Sequence, residues 1–174
     1  MTTSTIIDGL KVLIVDDEPD ILETLEELLA RCDIDTARDY ETAASMLSQK
    51  RYDMTIFDIM GVQGFDLLMI ADKKKIPSLI LTSHGLTPEN LITTVKGGAY
   101  AYIPKDKMAN IEDFIVDVIR AQKSGQKNQH HWLTKLAPYF ERIFGKSWKK
   151  KDPIFWEQFQ HTVQQARGET EKLF

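Results

Sequence analysis

The chain has 174 residues, of which 43% are hydrophobic and 28% are charged, and its formal net charge is −4 at pH 7. This composition is typical of one folded domain, or of a domain with a small appendage, and it excludes a wholly disordered chain, a collagen-like fibre and a disulfide scaffold. A single cysteine, Cys32, indicates a reducing compartment, and no apolar run approaches the roughly 18 residues that cross a bilayer. With no signal-peptide pattern at its start, the chain is expected to be cytoplasmic and to have no membrane partner.

Short apolar runs alternate with helical patterns from residue 10 to residue 123. Strands are predicted at 11–15, 34–38, 54–57, 78–82 and 100–103. Helices are predicted between and after them at 19–32, 43–47, 65–71, 88–96 and 111–119. Asn110 is expected to cap the last of these helices. Five such β-α units predict an α/β fold with a parallel sheet covered by helices on both faces.

The chain divides into two units of opposite charge. Residues 1–125 contain 13 Lys and Arg against 21 Asp and Glu, whereas residues 126–174 contain 9 against 5 and all three tryptophans. We therefore expect a first domain over 9–124, a polar linker over 125–129 and a helical extension over 130–174, with different partners.

The extension is expected to form two or three short helices. Pro138 should kink or restart the first of them, because proline removes a backbone donor inside a helix. Asp152 and Pro153 together are typical of a helix start, and Gly168 is a plausible stop for that helix.

Charged and hydroxyl side chains follow the predicted strands at their carboxyl ends. The first strand is followed by Asp16-Asp17-Glu18, the third by Asp58 and the fifth by Lys105, while the fourth ends in Thr82. In open parallel sheets these strand ends lie on one edge, where ligands bind. Clustered carboxylates need a cation; Mg²⁺ suits an all-oxygen ligand set, and the absence of Cys and His from the cluster argues against zinc. A carboxylate beside such an ion can accept a phosphoryl group.

This set of motifs resembles the receiver domain of two-component response regulators. The resemblance rests on the segment 12–18, on Asp58 and Thr82 at successive strand ends, and on Tyr102 three residues before Lys105. It covers about residues 9–124. It implies a flavodoxin-like fold with strand order 2-1-3-4-5, a role in bacterial signalling, and phosphoryl transfer to Asp58 from the phosphohistidine of a histidine kinase or phosphotransfer protein.

The resemblance also implies roles for individual residues in metal binding. Asp17 would bind Mg²⁺ directly, together with Asp58 and the backbone carbonyl of Met60, and Asp16 would act largely through water. Met60 at this position would also slow dephosphorylation.

Three further residues acquire roles from the same resemblance. Thr82 and Lys105 would hold the phosphoryl group, and Tyr102 would be an aromatic switch that moves inward together with Thr82. Such a domain is a signalling phosphoacceptor, which assists only its own phosphorylation and dephosphorylation, and is not an enzyme.

The sequence departs from the family pattern around this site. A proline commonly follows the lysine, but here Pro104 precedes Lys105 and Asp106 follows it, which leaves the placement of the lysine open. The loop over 59–64 is about two residues shorter than the commonest form, and its glycines should permit a tight turn.

The sequence leaves several alternatives for the partner through which the domain acts. A downstream protein effector or a homodimer, engaged through residues 88–122 or through the tail, is the preferred one. The alternative is a nucleic-acid-binding regulator that uses Lys146, Trp148 and the run Lys149-Lys150-Lys151. A phosphohydrolase is disfavoured because Met60, not an acid, lies two residues past Asp58, and a receiver that no longer takes phosphate is disfavoured by the intact acids.

Overall fold

A five-stranded parallel sheet forms the centre of the molecule in a computed structural model, which describes residues 3–125 and 129–172. The strands are β1 (Lys11–Val15), β2 (Asp33–Ala37), β3 (Met54–Phe57), β4 (Ser78–Thr82) and β5 (Ala101–Pro104). Their order is β2-β1-β3-β4-β5, and every neighbouring pair is parallel. The three central strands are buried almost throughout, as their continuous apolar runs predict. The flavodoxin-like fold is therefore confirmed.

Helices cover this sheet, and most of them lie where the periodicity places them. They are α1 (Thr3–Ile7), α2 (Pro19–Leu28), α3 (Tyr40–Gln49), α4 (Gly64–Lys73), α5 (Pro88–Lys96) and α6 (Ile111–Lys123). Side chains cap α3 and α5: Asp39 accepts from the Thr42 N–H at 2.8 Å and Thr87 from the Asn90 N–H at 3.0 Å.

Two local predictions for this region are wrong, and one helix is not predicted at all. No helix was predicted before β1, yet α1 packs beside α6 and buries Ile7 completely. Helix α2 ends at Leu28, so Cys32 lies in the turn before β2, where its thiol donates to the Ile7 carbonyl at 3.4 Å. Asn110 makes no side-chain cap, because a 3₁₀ helix (Lys105–Asn110) leads directly into α6.

The extension consists of α7 (Gln129–Phe144), a 3₁₀ turn (Trp148–Lys151) and α8 (Pro153–Lys172). We call these three elements the tail. Residues 126–128 of the predicted linker lie outside the described residues. Asp152 caps α8 as expected, with its carboxylate 3.0 Å from the Phe155 N–H. Pro138 does not restart α7, which continues through it, and α8 continues past Gly168.

The tail packs against β5 through aromatic side chains. Trp132, Phe140 and Trp148 are each 3% exposed or less. Among the described residues, no helix has the length and hydrophobicity to cross a membrane.

Candidate functional site

The sheet brings the predicted acids together at the carboxyl ends of β1 and β3. Asp16 follows β1, and its N–H bonds to the carbonyl of Ala37 at 3.1 Å; Asp58 follows β3, and its N–H bonds to the carbonyl of Val15 at 3.0 Å. These backbone bonds extend the strand ladder by one residue and fix both side chains on one edge. Both are 2% exposed, which is rare for a carboxylate without a partner.

Lys105 supplies the countercharge at the centre of this cluster. Its Nζ lies 2.8 Å from Asp58 Oδ2, 2.9 Å from Asp16 Oδ2 and 2.9 Å from Glu18 Oε1. The lysine side chain is only 6% exposed. The placement that Pro104 left open is thus resolved: Lys105 begins the 3₁₀ helix after β5 and extends its side chain back over the strand ends.

The charges in the cluster shift one another's pKa values. Burial alone would lower the pKa of Lys105, but its hydrogen bonds to Asp58, Asp16 and Glu18 outweigh burial and raise that pKa. Burial raises the pKa of Asp16, and the hydrogen bond from Lys105 offsets only part of this effect. The same lysine lowers the pKa of Glu18, whose side chain is 46% exposed. The carboxylates thus favour the charged form of Lys105, and the pKa values of Asp16 and Glu18 are shifted in opposite directions.

Both oxygens of Asp58 are engaged. Oδ1 accepts from the Thr82 hydroxyl at 2.8 Å and from the Ile59 N–H at 2.7 Å, while Oδ2 accepts from Lys105. Thr82 is itself fully buried at the end of β4. Asp58 is therefore the carboxylate on which a hydroxyl and an ammonium both converge, as the strand ends predict.

Tyr102 is connected to Asp58 through the loop between β4 and α5. Its hydroxyl donates to the Gly85 carbonyl at 2.6 Å and accepts from the Thr87 N–H at 3.3 Å. The Gly85 N–H in turn donates to Thr82 Oγ1 at 3.1 Å. Tyr102 is completely buried, so its ring lies inward in this structure.

Four carboxylates could hold a cation. One oxygen from each of Asp16, Asp17, Glu18 and Asp58 lies within 4.8 Å of the others. The donor set is oxygen only and fits a hard divalent ion such as Mg²⁺. Gly61, at a φ of +84°, lies so close to the Asp17 carboxylate that a Cβ atom there would collide with it.

Glu18 and Met60 also belong to the region of the site. The sequence predicts Glu18 as an acid of the cluster without an individual role, whereas its carboxylate contacts Lys105. That contact depends on a side-chain rotamer, which the sequence does not predict. Met60, predicted to offer its carbonyl, lies two residues past Asp58 in the loop before α4, with its side chain 52% exposed.

A sequence model described as the response regulator receiver domain matches residues 12–116 of the chain. The response regulator protein PilR of Pseudomonas aeruginosa is 28% identical over 144 residues, which are 79% of this chain and 30% of that protein. The two-component response regulator ORR25 of Oryza sativa subsp. japonica is 32% identical over 131 residues, which are 71% of this chain and 19% of that protein. The chain thus spans less than a third of the length of these curated relatives.

Solved structures show the same fold. A CheY-like response regulator receiver domain protein from Methanospirillum hungatei JF-1 superposes with a TM-score of 0.61 at 22% identity, covering 68% of this chain and 99% of that one. The chemotaxis response regulator CheY4 of Vibrio cholerae superposes with a TM-score of 0.54 at 25% identity, covering 62% of this chain and 98% of that one. These superpositions cover about two thirds of this chain and nearly the whole of each solved chain.

Proposed function

The chain belongs to the response regulator receiver family, and from this we propose that Asp58 accepts a phosphoryl group from the phosphohistidine of a histidine kinase or phosphotransfer protein. The observation that carries the proposal is the convergence of Lys105 and Thr82 on one buried carboxylate. Neither Asp16 nor Asp17 has this pair of donors in the hydrogen bonds of the described residues.

The reaction follows from the groups around Asp58. A carboxylate oxygen forms a bond to phosphorus while the P–N bond of the donor breaks, and its electron pair stays on the imidazole nitrogen. The Lys105 ammonium offsets the charge of the transferring oxygens, and the Thr82 hydroxyl donates a hydrogen bond to one of them. Both groups already contact Asp58, so they lie beside the carboxylate that would receive the phosphoryl group.

We propose that the acids of the cluster hold Mg²⁺. Asp17 and Asp58 would be direct ligands together with the Met60 carbonyl, and Asp16 would act mainly through water. When bound, the ion supplies positive charge that brings a phosphoryl donor to an otherwise anionic site. The buried and closely spaced oxygens of Asp16 and Asp58 fit this role, because only one nearby cation, Lys105, balances them within the described residues.

We further propose that the protein is a signalling phosphoacceptor and not a turnover enzyme. Met60 occupies the position two residues past Asp58, where a phosphohydrolase of this chemistry carries a second acid. The lone thiol of Cys32 favours the cytoplasm as its location.

The output partner is proposed to be a protein and not nucleic acid. Lys149, the first lysine of the basic run, lies over the rings of Trp148 and Trp156 at 5.5 and 5.1 Å, so part of the run packs within the tail. Lys149, Lys150 and Lys151 are nevertheless all exposed. Salt-dependent binding of DNA or RNA that disappears when Lys149, Lys150 and Lys151 are changed to Glu would instead support the nucleic-acid alternative.

The proposed function is tested by intact mass after incubation with acetyl phosphate and Mg²⁺. The expected result is one phosphoryl adduct on the wild type, which is lost with EDTA and in Asp58→Asn. The matched control is Asp66→Asn, an exposed acid on α4, which should be phosphorylated like the wild type. Adduct formation by Asp58→Asn at the wild-type rate would contradict the proposal.

A further inference from the structure

The tail covers the surface formed by α5, β5 and α6, which we call the α5–β5–α6 face. Helix α7 lies against β5, and the Lys135 ammonium on α7 is 2.9 Å from Asp117 on α6. Lys96 on α5 lies over the ring of Phe155 in the tail at 5.6 Å. Each of the three elements of this face therefore contacts the tail.

Phe140 lies at the centre of this contact and is completely buried. Its ring centroid is 6.0 Å from that of Tyr102, 5.5 Å from Phe144 and 6.0 Å from Trp148. Phe140 thus occupies the space directly outside the Tyr102 ring. The docked tail therefore opposes an outward turn of the Tyr102 ring, which is completely buried.

Tyr102 in turn holds the loop that positions Thr82. Its hydroxyl contacts Gly85 and Thr87, and the Gly85 N–H bonds to the same Thr82 oxygen that donates to Asp58. If Tyr102 turned outward, the Gly85 carbonyl and the Thr87 N–H would lose this partner. The docked tail therefore favours the loop conformation in which the Thr82 hydroxyl is directed at Asp58.

A second contact reaches the site from the other side. The Tyr139 hydroxyl on α7 donates to Asp106 Oδ2 at 2.7 Å, and Asp106 directly follows Lys105. The docked tail thus contacts Tyr102, which bonds to the loop after Thr82, and Asp106, the neighbour of Lys105.

We propose that the tail is an intramolecular ligand of the α5–β5–α6 face and that tail docking and a phosphoryl group on Asp58 stabilise each other. This inference rests on the proposed function. A phosphoryl group adds acceptor oxygens and negative charge beside Thr82, so it favours the loop conformation that Tyr102 and Phe140 hold in place. Because coupling between two sites is reciprocal, phosphorylation then tightens the tail instead of releasing it.

The experiment uses the full chain and two readouts. Beryllofluoride with Mg²⁺ serves as a phosphoryl analogue that binds at equilibrium, and its affinity is measured for the wild type, Phe140→Ala and the control Ile143→Ala. Ile143 lies on the same helix but is 44% exposed. Amide hydrogen exchange over residues 129–144 is followed with and without the analogue.

The expected result is an affinity at least about fivefold weaker in Phe140→Ala, with Ile143→Ala near the wild type, and slower exchange in α7 when the analogue is bound. Tyr102→Phe keeps the ring under Phe140 but removes its hydroxyl, so Phe140→Ala should have a much smaller effect in that background. This second variant distinguishes coupling from a general loss of folding.

The failures of the two proposals are distinguishable. If acetyl phosphate gives a wild-type adduct but Phe140→Ala binds beryllofluoride as the wild type does, or if α7 exchanges faster when the analogue is bound, the coupling is wrong and the phosphoacceptor function stands. If the wild type acquires no adduct, the phosphoacceptor function fails and the coupling fails with it.

Discussion

Lys105 is the residue on which the electrostatics of the site depend. It is the one cation that contacts Asp16, Glu18 and Asp58 together in the described part of the chain. Removing a single partner from a buried ion cluster is costly, because the remaining charges lose their compensation. The lysine therefore stabilises the fold at the same place where it would hold a phosphoryl group.

We predict that Lys105→Met lowers the free energy of unfolding by about 1–3 kcal/mol at neutral pH. Burial already raises the pKa of Asp16, and loss of the lysine raises it further. A carboxyl whose pKa is higher in the folded state contributes stability below its unfolded pKa and loses it as pH rises through the folded pKa. The deficit should therefore shrink as the pH is lowered from neutral.

Urea denaturation of Lys105→Met at two pH values checks this prediction. The exposed Lys150→Met serves as control and should match the wild type at both. Added Mg²⁺ should recover part of the lost stability at neutral pH, because it replaces the missing cation. A deficit that stays constant or grows on acidification would contradict the electrostatic account.

For individual residues, the sequence predicts which side chains lie at the same edge of the sheet but not which hydrogen bonds they form. Asp16, Asp58, Thr82 and Lys105 could be predicted to converge because parallel strands end on one edge. The hydrogen bond between Lys105 and Glu18 could not be predicted, because it depends on the conformations of two long side chains. The roles of these residues in metal and phosphoryl binding stay predictions.

Among the connecting elements, the loop between β3 and α4 bears most directly on the site. It contains Gly61 at a φ of +84° and Gln63 at a φ of +52°, so two of its residues adopt the left-handed region. An added Cβ at Gly64 would collide with the backbone carbonyl of Asp58. The tight turn expected from the glycines is thus present, and it brings the backbone against Asp17 and Asp58.

We predict that Gly61→Ala weakens Mg²⁺ binding in addition to destabilising the fold by about 1–2 kcal/mol. The methyl group would displace the Asp17 carboxylate. Gly145→Ala is the matched control, because Gly145 has a φ of +86° with no atom within 4 Å of an added Cβ. Calorimetric titration with Mg²⁺ should show weaker binding in Gly61→Ala only; equal affinities in the two variants would mean that Asp17 does not bind the ion.

Element boundaries were predicted less well than element types. Helix α7 continues through Pro138, where local propensity predicts a kink or a restart. The packing of its apolar face stabilises the helix by more than the loss of one backbone hydrogen bond at proline destabilises it. Asn110 fails as a side-chain cap because the preceding 3₁₀ helix starts the chain turning earlier. The first error arises because tertiary packing overrides a local preference, and the second because a neighbouring local element does.

For the whole molecule, the main feature is that the tail and the receiver share one apolar core. The sequence showed an apolar stripe on the tail but not what covers it. Such a stripe can pack on the receiver's last helix, on a second copy or on a partner, and the sequence favours a partner or a second copy. That expectation is wrong for the described tail, which packs on the chain's own β5. The opposite charges of the two units favoured contact, and the Lys135–Asp117 pair is one such contact, but at 44% lysine exposure it is worth little.

We predict that the two parts unfold together. All three tryptophans lie in the tail, so their fluorescence follows the tail, whereas far-UV circular dichroism is dominated by the larger receiver. If the aromatic contacts with β5 hold the tail in place, the two signals should give one denaturant midpoint. A tryptophan transition at clearly lower denaturant concentration would show that the tail detaches before the receiver unfolds.

The most direct test of the central claim identifies the carboxylate that receives the phosphoryl group. After incubation with acetyl phosphate and Mg²⁺, borohydride reduces an acyl phosphate to the corresponding alcohol, and peptide mass spectrometry locates the product. We predict homoserine at position 58, because only there do Lys105 and Thr82 converge on one carboxylate among the described residues. Homoserine at position 16 or 17 and not at position 58 would contradict this account.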